Sequence, residues 1–338
     1  MLKAAIVGCG AIAGVHAASL KGMDNVTVIG CADIKIERAE KLAAQFGCPA
    51  YASLDEMLAA DKPDVLHICT PHYLHVPMAL QAAKMGIAVL SEKPEGISVE
   101  QLDALAQAED EGARIGICFQ NRYNEAVDAA REHLASGAAG KIKAIRAFVT
   151  WNRQAPYYTE SGWRGTWETD GGGVMINQAI HTLDLIQYFG GYPTHLEGHV
   201  NNHHLKDVIE VEDTASIYMR LPDGIPAIMY ATTAFAVDSP VLIDIVCENV
   251  TLRLEGNTLK ETKPDGSAST PVRSAEYGKE NPDGKCYWGS GHPSLFHDYY
   301  QCLEEGKPFP LGAKEGAKAV RLLLALYESS QTGKVIPL

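Results

Sequence analysis

Apolar residues in the first 120 positions gather in short runs, and between the runs they recur every three or four places. Leu2–Val7, Val26–Ala32, Val65–Cys69, Ala88–Leu90 and Arg114–Phe119 read as strands, the third of them buried. Glu37–Phe46, Ser53–Ala60, Val76–Met85 and Val99–Glu111 read as helices, with Ser53 and Ser98 as N-caps and Gly47 and Gly86 as stops. Strand and helix in strict alternation predict a parallel sheet covered by helices on both faces.

After residue 140 the pattern changes. Lys143–Trp151, Ala215–Leu221, Ile225–Phe235 and Val241–Val246 are longer strand signals with few helices between them, which favours antiparallel pairing; Thr251–Leu254 and Thr258–Lys263 add short strands. One strong helix, Val174–Phe189, interrupts this half. Residues 264–290, rich in Gly, Pro, Ser and charge, predict a loop, and Pro293–Glu305 and Lys314–Thr332 predict closing helices. A chain of 338 residues with this change of pattern is expected to form two domains, 1–121 and 122–338, with closing helices able to pack back on the first.

Composition narrows the partners. A formal net charge of −13 and a pI near 5.4 disfavour nucleic acid and anionic membrane surfaces. None of the eight cysteines forms a C-x-x-C pair and several lie in apolar runs, which points to the reduced cytoplasm. A strand beginning at Leu2 leaves no room for a signal peptide, and no apolar run reaches the length of a membrane span. His195, His199, His203 and His204 cluster in sequence, but without a paired ligand motif they read as surface histidines in loop and strand edge; no metal is expected.

The first strand runs into Gly8-Cys9-Gly10-Ala11-Ile12-Ala13. Gly8 permits a tight turn, Gly10 lets a ligand approach the backbone, and Ala13 lets helix and strand pack closely, so that N–H groups converge where a pyrophosphate can sit. The second strand ends at Asp33, 20 positions after Ala13. A carboxylate there accepts hydrogen bonds from adenine ribose hydroxyls and repels a 2′-phosphate, which favours NAD over NADP, although Arg38 nearby softens the preference.

Three further clusters carry chemistry. Thr70-Pro71-His72-Tyr73-Leu74-His75 follows a strand end, where open α/β sheets bind ligands; His75 either lines that groove or fixes the loop. Glu92-Lys93-Pro94 follows another, with Pro94 restricting Lys93 to an extended path. A lysine beside an oxidised nicotinamide feels its positive charge and releases a proton more readily; the alternative is a surface lysine paired with Glu92. Gly171-Gly172-Gly173 allow close backbone approach to a ligand and open a helix on which Asn177, His181 and Asp184 share one face beside Ile180, Leu183 and Ile186. That face is either a site wall or the wet side of an amphipathic helix.

In this order the clusters resemble the Gfo/Idh/MocA oxidoreductases, as does the tail Gly316–Ala319 to Tyr327–Ser329. The resemblance implies an α/β fold: an N-terminal Rossmann dinucleotide-binding domain and a C-terminal α/β domain with a large, mostly antiparallel open sheet. It implies that this sheet forms the interface of a homodimer or homotetramer. It implies hydride transfer between NAD and a sugar, glycoside or cyclitol carbinol. Lys93 then touches the reacting oxygen, His181 acts as acid/base, Asp184 bonds substrate hydroxyls, and Trp163 and Arg164 approach the cofactor. Gly8, Gly10, Ala11, Ile12, Ala13, Asp33 and Arg38 fall to the cofactor, as do Thr70, Pro71, His72, His75, Glu92 and Lys93. Polar partners for substrate hydroxyls are sought among Arg122, Tyr123, Arg153, Tyr157, Asn177 and His292 of the second domain. Two departures stand out: Asn177 occupies a position where many relatives carry Asp, which puts an Asp–His relay in doubt and shifts proton work to Lys93, and His72 stands where Asn is frequent. Redox-neutral glycoside cleavage through a transient keto-sugar and a non-catalytic sensor remain as alternative readings.

Overall fold

A computed structural model describes residues 1–273 and 291–338, which divide into two compact units, Met1–Phe119 with His292–Ala317, and Gln120–Gly291 with Lys318–Leu338. Residues 292–317, which the expected boundary gives to the second domain, therefore belong with the first.

The first unit alternates β1 (Leu2–Val7), α1 (Ala11–Lys21), β2 (Val26–Ala32), α2 (Ile36–Ala43), β3 (Ala50–Tyr51), α3 (Leu54–Ala60), β4 (Val65–Ile68), α4 (His75–Lys84), β5 (Ala88–Ser91), α5 (Val99–Asp110) and β6 (Ile115–Ile117). The strands form one parallel sheet in the order β3-β2-β1-β4-β5-β6. β1, β4 and β5 bury their residues on both faces, as helix-covered parallel strands must. Ser53 and Ser98 cap α3 and α5, accepting from the backbone N–H of Glu56 and Gln101. α2 stops at Ala43, short of the expected Phe46, and the chain leaves through a turn that ends at Gly47. The order reverses between β1 and β4, the switch point at which doubly wound sheets bind ligands. There Gly8, at φ +84°, lies so near the Cys69–Thr70 backbone that a Cβ would fall 2.6 Å from the Cys69 carbonyl carbon.

The second unit contains α6 (Glu125–Ala135), β7 (Ile142–Thr150), α7 (Ala155–Thr159), α8 (Ile180–Gly190), β8 (His195–Asn201), β9 (Thr214–Arg220), β10 (Pro226–Thr232), β11 (Leu242–Cys247), β12 (Thr251–Glu255), β13 (Thr258–Thr262) and β14 (Ala268–Arg273). α9 (His292–Glu305) belongs to the first unit, α10 (Ala313–Thr332) crosses the division, and β15 (Ile336–Pro337) joins the second sheet. That sheet runs β14-β13-β12-β11-β7-β10-β9-β8-β15 and is antiparallel except between β7 and β10.

Three expectations change here. The histidine-rich stretch divides: His195 and His199 lie on β8, where Leu196 and Gly198 point inward while Glu197 and His199 face out, a full strand whose period an inward glycine obscures, and His203 and His204 lie in the loop that follows. Residues 268–273 pair as β14, so the expected loop 264–290 is cut short; the rest of it, 274–290, lies outside the described residues. α6 escapes sequence reading because its buried stripe is Ala126, Val127 and Ala130, too slight to register as a period. Among the described residues no helix is long and apolar enough to cross a membrane.

Candidate active site

In the first unit the anticipated cofactor residues share the carboxyl edge of the parallel sheet. Gly10 caps α1 without a side chain, and a Cβ built on it would meet nothing within 4 Å, so the space before the helix is open. Ala11 is exposed, Ile12 half-buried and Ala13 buried against the strand. Asp33, past β2, accepts from the Cys9 N–H at 2.7 Å and the Lys35 N–H at 2.8 Å, which ties the acidic residue to the glycine turn. Arg38 is exposed on α2. An open cradle at a glycine-capped helix, with a fixed carboxylate at the neighbouring strand end, fits a dinucleotide.

Thr70 and Pro71 are half-buried past β4, and His72 is buried in a short 3-10 turn. His75 resolves toward fixing the loop: its Nδ1 lies 2.6 Å from the Pro94 carbonyl and its Nε2 2.8 Å from the Thr70 carbonyl, bridging two loops. Burial lowers its pKa to about 4, so the ring is neutral.

Between Ile87 and Gly96 every residue is buried except Lys93, which is half-buried. The Lys93–Pro94 peptide is cis. Glu92 does not spend itself on the ammonium, as a surface-pair reading of the motif has it. It turns inward, accepting from His16 Nε2 at 3.0 Å and, through Oε2, from the Lys93 backbone N–H at 3.3 Å. His292, expected in the second domain, is a first-unit residue with Nε2 3.6 Å from Glu92 Oε1. His16, Glu92 and Cys118 bring ligand-type atoms within 4.8 Å of one another, yet both His16 nitrogens are already engaged, by Glu92 and by His67 Nδ1 at 2.9 Å.

In the second unit the segment from Val174 does not wind as one α-helix. Met175–Ala179 form a wider π-helical turn before α8, a distortion that re-aims side chains and recurs at functional sites. The glycines before it serve the protein rather than a ligand. A Cβ on Gly173 would lie 1.8 Å from the Glu212 carbonyl oxygen, and one on Gly172 2.0 Å from the Tyr327 hydroxyl. The Glu212 carboxyl takes the Gly173 and Met175 N–H groups at 2.9 and 3.0 Å and the Tyr327 hydroxyl at 3.1 Å. Burial nonetheless raises its pKa to about 7.

From Asp170 to Gln187 only Asn177 and His181 are not buried, so the segment is no wet amphipathic helix. His181 Nε2 lies 3.4 Å from Gln120 Nε2. Asn177 Nδ2 donates to both oxygens of buried Asp170, at 2.9 and 3.0 Å, and Asp170 also takes the Gly165 N–H at 2.8 Å. A carboxylate can only accept, which settles the flip of the amide: nitrogen toward Asp170, Oδ1 away from it.

Asp184 departs from the expected shared face. It is buried in a bidentate pair with Arg122, at 2.6 and 2.7 Å, so these two candidates meet each other. Tyr123 is half-buried beside them in chain. The remaining candidates assemble separately. Arg153 contacts Asp238 at 2.9 Å and lies over Trp151 and Tyr157. Arg164 lies over Tyr157 and Trp163. The Tyr157 hydroxyl accepts from Gln178 Nε2 at 3.0 Å, next in chain to Asn177.

Sequence reasoning passed over His16, His67, Asp170 and Glu212. His16 carried a signal, a polar residue on the buried face of α1 with Ala13, Ala17 and Leu20. Asp170 carried another, an acid directly before three glycines.

Comparison with known proteins gives concordant findings. Residues 2–118 match the family model described as oxidoreductase family, NAD-binding Rossmann fold, and residues 127–253 match the GFO/IDH/MocA C-terminal domain. The D-glucoside 3-dehydrogenase of Escherichia coli K12 is 30% identical over 198 residues, 57% of this chain and 55% of that protein. The glucose-6-phosphate 3-dehydrogenase of Bacillus subtilis 168 is 28% identical over 197 residues, 56% and 53% of the two chains. The chain thus spans about half the length of these curated relatives. The WlbA dehydrogenase of Bordetella pertussis, solved with NADH and UDP-GlcNAcA, superposes with a TM-score of 0.85 at 28% identity, over 100% of this chain and 98% of that one.

Proposed function

The chain belongs to the Gfo/Idh/MocA oxidoreductases, and from that membership we propose that it oxidises a secondary ring hydroxyl of a sugar, glycoside or cyclitol. The observation that carries the reading is selective exposure: in a segment buried from Asp170 to Gln187, only the amide of Asn177 and the imidazole of His181 are left accessible. A structural helix has no need of such a pair. A hydroxyl oxidation needs a group to take the proton and a group to orient the oxygen.

NAD, when bound, supplies the hydride acceptor. The chain's own residues do the rest. In the second unit His181 takes the hydroxyl proton, and in the first unit Lys93, half-buried past β5, supplies an ammonium donor to the reacting oxygen's charge. Asn177, its nitrogen committed to Asp170, offers Oδ1 as an acceptor, so it orients a donor, either a substrate hydroxyl or an imidazole N–H. The Arg122–Asp184 pair holds α8 to the turn at Gln120–Tyr123 rather than reaching for sugar. Arg153, Tyr157, Trp163 and Arg164 form an aromatic and cationic cluster within the second unit, suited to a polar ring substrate. Asp33 selects NAD over NADP, since its fixed carboxylate repels a 2′-phosphate. Tyr218, Ile228 and Tyr230 stand exposed together on β9 and β10, an apolar sheet face suited to a second copy of the chain.

The test is reduction of NAD by a panel of glucosides, hexose phosphates, nucleotide sugars and cyclitols. Glucosides come first, because the glucoside relative is named for oxidation at position 3. Turnover with one class and its loss in Lys93→Met and His181→Ala is the expected result. A protein that binds NAD tightly yet reduces it with no member of the panel would refute the reading.

A further inference from the structure

Five of the first unit's histidines, His16, His67, His72, His75 and His292, lie in its interior, where an aliphatic core would be simpler to build, and two of them, His67 and His16, form a chain that ends at Glu92. The Tyr300 hydroxyl lies 2.8 Å from His67 Nε2, His67 Nδ1 lies 2.9 Å from His16 Nδ1, and His16 Nε2 lies 3.0 Å from Glu92 Oε1. Tyr300, His67 and His16 are wholly buried, and Glu92 is 6% exposed.

Only one arrangement of protons satisfies every link with neutral rings. The carboxylate accepts, so His16 carries its proton on Nε2 and its Nδ1 accepts. His67 must then carry its proton on Nδ1, which leaves Nε2 to accept from the tyrosine. The hydrogen bonds point one way, from Tyr300 through His67 and His16 to Glu92, and each polarises the next. The other oxygen of Glu92 holds the Lys93 backbone N–H.

We propose that His16 and His67 are positioning residues that act through Glu92 to fix the backbone at Lys93, and so aim its amino group. The proposal rests on the reading of Lys93 as the group that meets the reacting oxygen. Misplacing such a group by about 1 Å costs on the order of a hundredfold in rate. The titratable groups that act on Glu92 come from five elements: His16 on α1, Cys69 past β4, His75 on α4, Cys118 past β6 and His292 on α9, with His67 and Tyr300 linked to it only through His16. Burial lowers the pKa of His16 and His67 and raises that of both thiols; it also works against the charge on Glu92, but the His16 and His292 contacts together outweigh it and hold that carboxyl well below its ordinary range.

Two measurements test this on the full chain. Long-range ¹H–¹⁵N correlation spectra of histidine-labelled protein read the tautomers directly and need no substrate. His16 should carry its proton on Nε2 and His67 on Nδ1, with both rings neutral at neutral pH, since burial lowers both pKa values. In steady-state kinetics, His16→Leu should lower kcat by about tenfold to a hundredfold with KM for NAD within about twofold. Its acid limb of kcat/KM should move to higher pH, because Glu92 has lost a donor to its charged form. His16→Gln, whose amide can donate to Glu92 and accept from His67, should recover most of the loss. Tyr300→Phe is nearly isosteric, keeps the test available if His16→Leu does not fold, and should change kcat and the acid limb in the same direction by less. Opposite tautomers, a doubly protonated ring, or folded variants with unchanged kcat and pH profile would overturn the proposal. A wild type with the expected tautomers that oxidises no sugar would overturn the catalytic reading of Lys93 and with it the positioning role, leaving the hydrogen-bond chain itself in place.

Discussion

Replacing Asn177 by Asp would set a second carboxylate where the amide nitrogen now lies 2.9 and 3.0 Å from the two oxygens of Asp170. Two unit charges about 3 Å apart repel by roughly 5 to 6 kcal/mol at an effective dielectric of about 20. That is about four pKa units, so the two carboxyls of the variant must share one proton over the neutral range. The unfolded chain has no such constraint and loses both protons near pH 4. The pair therefore binds a proton in the folded state that the unfolded state has released. Stability is retained below about pH 4 and lost as pH rises toward the pair's upper step, by up to about 5 kcal/mol. The assay is the thermal midpoint of Asn177→Asp against wild type across that range, with Asp170→Asn/Asn177→Asp as the control, since the exchange keeps one amide and one carboxylate. The single variant should fall progressively below wild type as pH rises, and the exchange should run parallel to wild type. A difference that stays flat with pH, or that persists in the exchange, refutes the reasoning. The same logic explains why this chain carries Asn at 177: buried Asp170 already supplies the charge, and an amide is its natural complement.

Glu212 gives a second pH dependence. Its folded pKa is raised to about 7 by burial, so the stability it contributes is present below its ordinary range near 4 and lost as pH rises through about 7, a change of about 3 kcal/mol. Glu212→Gln should remove that slope from denaturant-midpoint measurements, and an identical slope in wild type and variant would count against the assignment. Asp33→Ser should raise kcat/KM for NADP relative to NAD by about tenfold or more, because the carboxylate's repulsion of a 2′-phosphate disappears. An unchanged cofactor ratio would place the selectivity elsewhere.

The parts of the site that follow from chain order alone were legible in the sequence. In a parallel sheet, whatever follows a strand's last residue arrives at the same edge, so Gly8–Gly10, Asp33, Thr70 and Lys93 could be gathered there without coordinates. Contacts between distant segments were not. The glycines at 171–173 announced a close approach, but its object, Glu212 and Tyr327, lies 39 or more residues away. Asp184 had the spacing of a site residue, and only the bidentate contact from Arg122 reveals it as support. The helical period grouped Asn177 with His181 and misled at Asp184, because the π-helical turn at Met175–Ala179 breaks the regular spacing that such a count assumes.

Both units solve one problem in the same way. A reactive side chain must reach solvent while its backbone stays fixed, and loops that carry such groups are otherwise the mobile parts of a fold. Here Lys93 emerges from a stretch buried on either side, with Glu92 beneath it held by His16. His181 and Asn177 emerge from a buried helix, with Asp170 beneath the amide and Glu212 beneath the glycine run. In each case an acid that is itself buried, and supplied with donors from the backbone or from neutral rings, takes the place that an apolar residue would fill in a purely structural core. Such acids are unfavourable unless fully hydrogen-bonded, so their donors are as necessary as the acids. That requirement is what makes the supports testable: Glu212 through its pH slope, Asp170 through the exchange at 177, and Glu92 through two histidine tautomers fixed by a carboxylate that can only accept.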